Sequence, residues 1–398
     1  MLLYNNINII LIDRKLLRLS YLANYNTAYR ATRRDYIKVE NRSGTHLSKK
    51  YGMTVNEIKK DRFLINNVID ILDNSGAFKD ISKPMGLGLI SFSNCLKNLK
   101  PDLLVVLGDR FEIFAVTISA FFLKIPILHI HGGEKTVGSY DDSMRHCITK
   151  MSQVHCVASE DYKKRVIQLG ENPSVVFKVG GLGVDCIKNT KLLNKIKLED
   201  LLGIQLSKKN LLITFHPATL EKISPLNQLN ELLKALSKLK NTKLFFTSPA
   251  LDLGSEDIVR TIKKFVLNNK NAYFFTSLGQ QKYFSCINQF DGVIGNSSSG
   301  ILEVPSFKKG TVNIGSRQEG RVQCKSIINC EPNETSITKA INKLYSKSFQ
   351  NSLKTIKSPY GNGGAAKKII SIIKKTNFTK LPNKSFYDLS MILKDRML

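Results

Sequence analysis

The stretch from residue 101 to residue 150 constrains the fold more than any other part of the sequence. Leu103–Leu107 is a short, unbroken apolar run that contains valines, which is typical of a strand buried on both faces. Residues 111–123 are largely apolar with helical spacing, and residues 126–130 form a second buried run. A strand, a helix and a strand make a βαβ unit, whose crossover joins parallel strands. The stretch therefore predicts an α/β fold built on a parallel sheet.

Charged and polar residues follow both predicted strands of this unit. Asp109 and Arg110 come directly after the first strand, and His131 and Glu134 come after the second. The carboxyl ends of parallel strands meet at one edge of a sheet, and ligands bind at that edge in open α/β folds. These four side chains are therefore predicted to share one site, with His131 at its rim and His129 buried in the strand.

Four carboxylates near this edge are candidates for acid–base chemistry. Carboxyl groups that lie close together or are poorly hydrated have raised pKa values, which proton transfer at neutral pH requires. Asp109 and Glu134 are predicted as a general base and a general acid, although each alone is also typical of a turn or surface acid. A third helix is predicted to begin at Asp141 and Asp142, with one acid as its N-cap, the other catalytic, and Arg145 in its first turn.

Strand and helix patterns alternate along the rest of the chain. Further strands are predicted over residues 6–13, 36–41, 154–158, 175–179, 211–215, 243–247, 273–275, 292–295 and 311–314. Helices are predicted over residues 14–34, 49–73, 83–97, 160–169, 365–374 and 385–398. A Lys-, Leu- and Asn-rich stretch at residues 188–209 is predicted as the linker. The alternation predicts two Rossmann-like, doubly wound α/β domains that face each other across a cleft, at residues 1–190 and 191–375, with a tail helix in residues 376–398 that packs back on the first domain.

A loop of small residues in the second half has the composition of an anion-binding turn. Residues 295–300 lie between a predicted strand and a helix predicted to begin near Ile301. Free backbone N–H groups and the helix dipole favour an anion there, but the dipole supplies only about 0.3–1 kcal/mol. A nearby cation such as Arg317 is therefore expected to help, so the loop predicts a diphosphate cradle. Glu303 is predicted either to accept hydrogen bonds from ribose hydroxyls or to be a solvated helix acid.

His216 follows another predicted strand of the second half. Pro217 comes next, and the residue before a proline is pushed away from helical geometry, so the ring can point over the rim. A catalytic or phosphate-contacting role is therefore predicted for His216. No metal is predicted, because His129 and His131 lack the accompanying residues of a metal-binding motif.

Composition limits the class of protein further. The chain of 398 residues is 42% hydrophobic, which is enough for two globular domains. The net charge is +28, but the lysines are scattered and no nucleic-acid-binding motif is present, so nucleic-acid binding is the minor interpretation. A basic surface would still attract an anionic nucleotide substrate. No apolar stretch is long enough to span a bilayer, no signal peptide is recognisable, and the seven cysteines form no Cys-x-x-Cys pair. These features predict a cytoplasmic protein with reduced thiols and no membrane partner.

Six motifs in one order carry a family resemblance. They are Leu107-Gly108-Asp109-Arg110-Phe111-Glu112, His131-Gly132-Gly133-Glu134, Asp141-Asp142-Ser143-Met144-Arg145-His146, Phe215-His216-Pro217, Gly295-Asn296-Ser297-Ser298 and Asn313-Ile314-Gly315-Ser316-Arg317-Gln318. Together they resemble the hydrolysing UDP-N-acetylglucosamine 2-epimerases of sialic-acid and related nonulosonic-acid synthesis, over residues 44–387. The resemblance implies the glycosyltransferase B type of fold, with two Rossmann domains and the nucleotide in the cleft.

The resemblance also implies a reaction in two steps and a set of residues for it. A base removes the proton at C2 of the sugar while UDP leaves C1 by anti elimination, and water then adds to the 2-acetamidoglucal to release an N-acetylmannosamine-type sugar. Acid–base roles fall to Asp109, Glu134 and one of Asp141 and Asp142, and stabilisation of the departing diphosphate falls to Arg110 and His216. The implied substrate-binding set also contains Arg14, His131, Arg145, Asn296, Ser297, Ser298, Glu303 and Arg317. The resemblance implies no cofactor and no metal. It also implies that the protein forms a dimer or a tetramer.

The N terminus departs from the family pattern. The family follows its first strand with Gly-Thr-Arg-Ala-Asp-Tyr, a phosphate loop, whereas this strand is followed by Ile12-Asp13-Arg14, with Arg14 in the place of the arginine. A catalytically impaired UDP-sugar-binding protein is therefore one alternative. A non-hydrolysing epimerase is another, but such enzymes typically carry His-Arg-Arg-Glu-Asn where this chain has His216 and Pro217. The sugar stays open between UDP-N-acetylglucosamine and a 4-acetamido-4,6-dideoxy relative.

Overall fold

A computed structural model describes residues 9–11, 36–42, 67–70, 81–137, 140–217, 223–249, 254–378, 381 and 384–389. The predicted binding residue Arg14 lies outside the described residues. So do the helix predicted over residues 14–34 and residues 390–398 of the predicted tail helix.

The described residues form two sheets of parallel strands. The first sheet contains β1 (Ile9–Leu11), β2 (Tyr36–Arg42), β3 (Asn67–Asp70), β4 (Leu103–Leu107), β5 (Ile127–Ile130), β6 (Val154–Val157) and β7 (Val176–Lys178). The second sheet contains β8 (Lys209–Thr214), β9 (Thr242–Thr247), β10 (Ala272–Phe275), β11 (Gly292–Gly295), β12 (Gly310–Ile314) and β13 (Ile327–Cys330).

Both sheets have the strand order of a doubly wound fold. The first runs β3-β2-β1-β4-β5-β6-β7 and the second β10-β9-β8-β11-β12-β13, and their strand pairs are parallel. The order reverses between β1 and β4 in one sheet and between β8 and β11 in the other, and such reversals open a crevice for ligands at the carboxyl ends. The predicted α/β class, with two Rossmann-like domains of the glycosyltransferase B type, is confirmed.

Helices connect the strands and cover the sheets. They are α1 (Ser82–Leu99), α2 (Phe111–Phe122), α3 (Asp141–Met151), α4 (Glu160–Gln168), α5 (Leu182–Asn189), α6 (Lys195–Leu202), α7 (Pro225–Ser237), α8 (Ser255–Leu267), α9 (Gly279–Gln289), α10 (Ser298–Leu302), α11 (Glu334–Tyr345), α12 (Lys347–Leu353) and α13 (Ala365–Lys375). Short 3-10 turns add Pro173–Val175 and Val304–Phe307. Among the residues described, no helix combines the length and the apolar character that crossing a bilayer requires.

Apolar packing on both faces of each sheet explains the continuous hydrophobic runs in the strands. In the first sheet, Leu104 faces the cluster around α1 and α2, and its neighbour Leu103 faces the cluster that contains Ile369 of α13. In the second sheet, Ile213 packs towards α7 and α11, and Leu212 packs towards α6 and α9. Each such side chain contributes roughly 1.5–3 kcal/mol on full burial. The parallel strands are therefore held from both sides, and their carboxyl ends are fixed in space.

Some elements differ from those predicted. Part of the helix predicted over residues 49–73 is strand β3, which pairs with β2 and buries Ile69 against the α1 cluster. The β-branched pair in Asn-Val-Ile-Asp fits a strand once a partner is present. Strand β13 was not predicted. The proposed linker at residues 188–209 contains helix α6, whose N-cap Asn194 accepts a hydrogen bond from the Lys197 N–H.

The helix predicted for the tail was also wrong for the tail residues that the structure describes. Residues 384–389 are irregular, not helical. Lys384 Nζ donates to the carbonyl oxygens of Thr149 (3.0 Å) and Ser152 (2.6 Å), and the Tyr387 N–H donates to Gly170 O at 2.9 Å. The Tyr387 N–H therefore binds a distant segment of the chain instead of a carbonyl within a helix. The tail segment thus lies against α3 and the end of α4.

Candidate active site

The carboxyl edge of the first sheet begins with a turn after β4. Gly108 has φ of 78°, a left-handed conformation that glycine adopts without strain, and Asp109 follows it. His129 from β5 supports the turn, because its Nε2 lies 2.9 Å from Gly108 O and its Nδ1 lies 3.1 Å from Thr149 Oγ1. Burial is the main reason that the pKa of His129 falls to about 3. This histidine is therefore neutral and buried, as predicted.

Arg145 of α3 is the centre of this edge. Its side chain is 1% exposed and donates to Asp109 Oδ2, to Asp142 Oδ1 at 3.2 Å, to Glu134 O at 2.8 Å and to Thr136 Oγ1 at 2.7 Å. A guanidinium presents its donors in a fixed planar fork, so these four partners are held in a defined arrangement. Arg145 therefore brings two carboxylates from different elements to one place.

The acids at the start of α3 do not cap it. Tyr140 is the N-cap residue and makes no side-chain capping bond, so the prediction that one of the two aspartates is the cap was wrong. Both aspartates lie within the first turn, where Asp142 Oδ1 accepts from the Thr136 N–H at 2.5 Å and its Oδ2 lies 3.6 Å from His146 Nε2. Asp142 thus ties the preceding loop to the helix. The charge of the half-buried Asp141 acts on Arg321, which follows β12 of the second sheet.

Glu134 forms an ion pair between the two sheets. One oxygen, Oε1, lies 2.7 Å from His131 Nδ1, and the other, Oε2, accepts from Arg321 in the loop between β12 and β13. Burial opposes the charge of Arg321, but Glu134 outweighs it and, with smaller contributions from Tyr360, Tyr162 and Asp141, raises the pKa of Arg321. Burial and then the charge of Arg321 lower the pKa of Arg145 to about 9. Two arginines, Arg145 and Arg321, and four acids, Asp109, Glu134, Asp141 and Asp142, therefore form one network.

Sequence reasoning missed Arg321, although it follows the quoted motif by three residues. Its loop is held by two tyrosines, Tyr162 of α4 in the first half of the chain and Tyr360 in the second. The Val322 N–H donates to Tyr162 Oη at 3.1 Å, Tyr360 Oη donates to Val322 O at 2.8 Å, and the two hydroxyls lie 2.9 Å apart. Both tyrosines are buried. The clamp keeps Arg321 against Glu134, a position that no local pattern indicates.

The edge of the second sheet is built on Asn296, directly after β11. Its Oδ1 accepts from the His216 N–H at 2.7 Å, and its Nδ2 donates to His216 O at 2.8 Å. Its own carbonyl accepts from Arg317 at 3.2 Å and from Gln318 at 2.8 Å. The buried Asn296 side chain therefore joins the ends of β8 and β11 and fixes the backbone of His216.

His216 is close enough to cations of both edges to be affected by their charges. Burial lowers its pKa well below the usual value, and the charges of Arg317 and Arg110 lower it further. Arg110 belongs to the first edge, where it also donates to Glu112 at 3.1 Å, and Arg317 belongs to the second. The charges of both edges thus act on one imidazole, and the Glu134–Arg321 ion pair joins the same two edges directly.

The small-residue loop leads into helix α10, which begins at Ser298 and not near Ile301 as predicted. Ser297 is the N-cap and accepts from the Ser299 N–H at 3.4 Å. Ser299 Oγ in turn donates to Glu303 Oε2 at 2.7 Å. A Cβ added to Gly183 of α5 would lie 3.2 Å from Glu303 Oε1, so the first half of the chain approaches Glu303 closely. Glu303 is therefore half-buried at a place where the two halves of the chain meet.

The predicted residues thus fall into two facing groups. The first edge holds Asp109, Arg110, His131, Glu134, Asp141, Asp142 and Arg145, and the second holds His216, Asn296, Ser297, Ser298, Glu303 and Arg317. Within the described part of the chain, no three His, Cys, Asp or Glu side chains are arranged to hold a metal ion.

Comparisons with known proteins identify relatives over most of the chain. The model of the family described as UDP-N-acetylglucosamine 2-epimerase matches residues 38–374. The chain is 42% identical over 347 residues to the polysialic acid biosynthesis protein P7 of Escherichia coli, which covers 87% of this chain and 88% of that protein. It is also 42% identical over 349 residues to the hydrolysing GDP/UDP-N,N'-diacetylbacillosamine 2-epimerase of Campylobacter jejuni, with coverage of 87% and 90%.

Solved structures share the fold. The Methanocaldococcus jannaschii UDP-GlcNAc 2-epimerase in complex with UDP-GlcNAc and UDP has a TM-score of 0.75 at 18% identity, over 93% of this chain and 99% of that chain. The MnaA–UDP structure from S. aureus has a TM-score of 0.73 at 16% identity, over 96% and 100%. The ordered motifs, the paired Rossmann sheets and the extent of these matches lead to one conclusion: the chain belongs to the UDP-N-acetylglucosamine 2-epimerase family.

Proposed function

We propose that this family member is a hydrolysing 2-epimerase. It takes UDP-N-acetylglucosamine, or a 4-acetamido-4,6-dideoxy relative, and water, and releases UDP and the free N-acetylmannosamine-type sugar. One observation carries the proposal: a carboxylate network lies at the edge of the first sheet, and at the edge of the second sheet Asn296 joins His216 to Arg317. Such an arrangement separates proton transfer on one side of the cleft from diphosphate binding on the other.

The second edge supplies the nucleotide site in this proposal. Arg110 and Arg317 attract the diphosphate and stabilise the charge that develops as UDP departs. His216, held through its backbone by Asn296, contacts the same group. Asn296 thus acts as a positioning residue, because its side-chain amide is engaged with His216.

Other groups of this edge complete the nucleotide site. The main chain at Ser297 and Ser298 adds N–H donors, and Glu303 accepts from the ribose hydroxyls. A residue that receives hydrogen bonds from ribose must lie in the cleft, where Glu303 lies beside Gly183.

The first edge supplies the proton transfers. Asp109, Glu134 and Asp141 or Asp142 form the acid–base network of this edge, and a base of the edge takes the proton from C2 of the sugar. The electrons of the C2–H bond form the C1–C2 double bond, and the electrons of the C1–O bond leave with UDP. Water then adds across the double bond, with its hydroxyl at C1 and a proton at C2. Proton transfer by a positioned side chain contributes about 10²–10⁴-fold to such steps.

Hydrolysis is favoured over return of the UDP-sugar for two reasons. The Campylobacter jejuni relative is named as a hydrolysing 2-epimerase of GDP/UDP-N,N'-diacetylbacillosamine, and a 32% identical relative from Legionella pneumophila as one of UDP-N,N'-diacetylbacillosamine. In addition, His216 is followed by Pro217, and the Arg-rich run typical of non-hydrolysing enzymes is absent from the sequence at that place.

Proton NMR in deuterated water tests the proposal directly. The protein is incubated separately with UDP-N-acetylglucosamine and with its 4-acetamido-4,6-dideoxy relative. We expect UDP and a free 2-epimeric sugar with deuterium at C2 from one of them. Deuterated UDP-sugar without free sugar would indicate a non-hydrolysing epimerase. Binding of UDP without any turnover of either sugar would show a non-catalytic binding protein and reject the proposal.

A further inference from the structure

Glu134 is enclosed by its partners. Its side chain is 4% exposed, with Oε1 against His131 Nδ1 at 2.7 Å and Oε2 against Arg321. The backbone of the same residue is held by Arg145, which donates to Glu134 O at 2.8 Å. A carboxylate with both oxygens engaged and almost no exposed surface is well placed to orient a neighbour and poorly placed to reach a sugar.

His131 is the more exposed member of this pair. Its side chain is 15% exposed, and its backbone has φ of 67°, a conformation that is uncommon for residues other than glycine. Such strain is often maintained at functional sites. The ring is oriented with Nδ1 towards the buried carboxylate and Nε2 towards the N-terminus of α5.

The tautomer of His131 follows from its two neighbours. A carboxylate accepts hydrogen bonds, so Nδ1 carries the ring proton and donates a hydrogen bond to Glu134 Oε1. Nε2 then keeps its lone pair, which faces the Leu182 N–H at 3.5 Å, the outer limit of a hydrogen bond. Leu182 begins α5, and the next residue, Gly183, lies against Glu303 of the second sheet. The lone pair of His131 is therefore directed to the region where the two edges meet.

We propose that His131 is the catalytic base of the first edge and that Glu134 is the positioning residue that orients it, a deepening that rests on the proposed function. His131 Nε2 takes the proton from C2, the C2–H electron pair becomes the C1–C2 double bond, and the C1–O electron pair leaves with UDP. Glu134 stabilises the imidazolium that forms. The imidazolium then releases its proton to water, which restores the lone pair on Nε2. An imidazole oriented by a buried carboxylate recurs in enzymes with unrelated folds.

The first test replaces His131 with glycine. Because glycine adopts φ of 67° without strain, His131→Gly removes the ring and leaves the backbone conformation available. We expect turnover to fall about 10²–10⁴-fold and added imidazole to restore part of it. Wild type and Glu134→Gln, each with the same imidazole, are the controls, and neither should be accelerated. Turnover within tenfold of wild type, or no response to imidazole in a variant that folds and binds UDP, would overturn the assignment.

The second test separates a positioning role from direct catalysis by Glu134. In Glu134→Gln the amide oxygen still accepts from Nδ1–H, but the negative charge that stabilises the imidazolium is lost. We expect measurable turnover, with the acidic limb of the kcat/KM profile displaced to lower pH. A variant without turnover, next to a His131→Gly that retains it, would make Glu134 the base.

The wild-type NMR experiment distinguishes failure of the proposed function from failure of the assignment of His131 as the base. If wild type releases no free sugar, the proposed function fails and with it the assignment of His131. If wild type is active, the function stands, and the His131 and Glu134 variants alone decide which residue carries the proton. Circular dichroism and UDP titration on each variant show that a loss of turnover is not a loss of fold.

Discussion

At the scale of single residues, the contact between Arg145 and Asp109 determines the orientation of the acids at the first edge. Arg145 was predicted as a substrate contact, and the structure shows it buried among Asp109, Asp142, Glu134 and Thr136. A buried guanidinium with four acceptors orients its partners. Its effect on a substrate would therefore pass through the acids.

The substitution Asp109→Asn tests the role of this carboxylate. The amide keeps the shape of the side chain and can still accept from Arg145, but it cannot take or give a proton. We expect turnover to fall about 10²–10⁴-fold, while UDP still binds in isothermal titration. Asp161→Asn is the matched control, because Asp161 is exposed at the start of α4. Turnover equal to wild type would remove Asp109 from the mechanism.

At the scale of elements, the junction of β8 and β11 positions the whole second edge. The two strands pair in register, with Gly295 beside Thr214, and both end at residues of the site. A Cβ on Gly295 would lie 1.9 Å from Thr214 O, and the residue has φ of 135°. Glycine is therefore required here for space as well as for conformation.

The substitution Gly295→Ala should separate these strands and destabilise the second sheet. We expect a loss of more than about 2 kcal/mol in urea unfolding, because backbone and not a flexible side chain must move. Gly203→Ala is the control: it also has positive φ, but nothing lies within 4 Å of its added Cβ. It should cost only about 1–2 kcal/mol. Equal losses for the two variants would contradict the steric argument.

At the scale of the whole molecule, the Glu134–Arg321 ion pair joins residues 187 positions apart in the chain. Both side chains are under a tenth exposed, so the pair is screened little by solvent. Removing one partner from a buried pair typically costs about 3–5 kcal/mol, because the other charge stays buried without compensation.

The substitution Arg321→Met should accordingly destabilise the protein by about 3–5 kcal/mol. Urea unfolding measures the loss, and the Arg321→Met/Glu134→Gln double variant should lose less than the sum of the two single variants. The control is Arg260→Met, whose pair with Asp257 is 78% and 50% exposed and should be worth at most about 1 kcal/mol. Additive losses would show that the two residues are not coupled.

A second whole-molecule contact makes stability depend on pH. Glu171 is 2% exposed and pairs with His155 at 2.9 Å, Lys150 at 2.7 Å and Lys384 of the tail at 2.7 Å. Burial alone would raise its pKa, but His155 and then the two lysines outweigh burial and lower the pKa to about 2. A carboxyl group whose pKa is lower when folded stabilises the protein above its unfolded pKa, and this contribution is lost as pH falls towards 2.

The comparison of wild type with Glu171→Gln measures this contribution. We expect wild type to be more stable by about 3 kcal/mol at pH 7, and the difference to shrink between about pH 4.5 and pH 2. Urea unfolding at several pH values provides the free energies. A difference that stays constant from pH 7 to pH 3 would mean that Glu171 is not the group that titrates.

Local patterns were sufficient for most elements and for the placing of the site. Leu103–Leu107 and Gly292–Gly295 were predicted with their observed bounds, since a buried parallel strand needs an apolar run and a turn residue after it. Because parallel strands end at one edge, the polar residues after them were also predicted to converge. Strand β3 was missed because its four residues become a strand only through pairing with β2.

The sequence by itself determined the paired doubly wound sheets and the two sets of residues at their carboxyl edges, because these depend on apolar periodicity and turn residues that act over a few positions. Only the tertiary structure decided what each side chain contacts. It assigned Arg145 to the acids, Asn296 to the backbone of His216, and Arg321 to Glu134. These contacts join distant parts of the chain. The residues next to a charged or amide side chain in the sequence do not indicate which partner the folded chain brings to it.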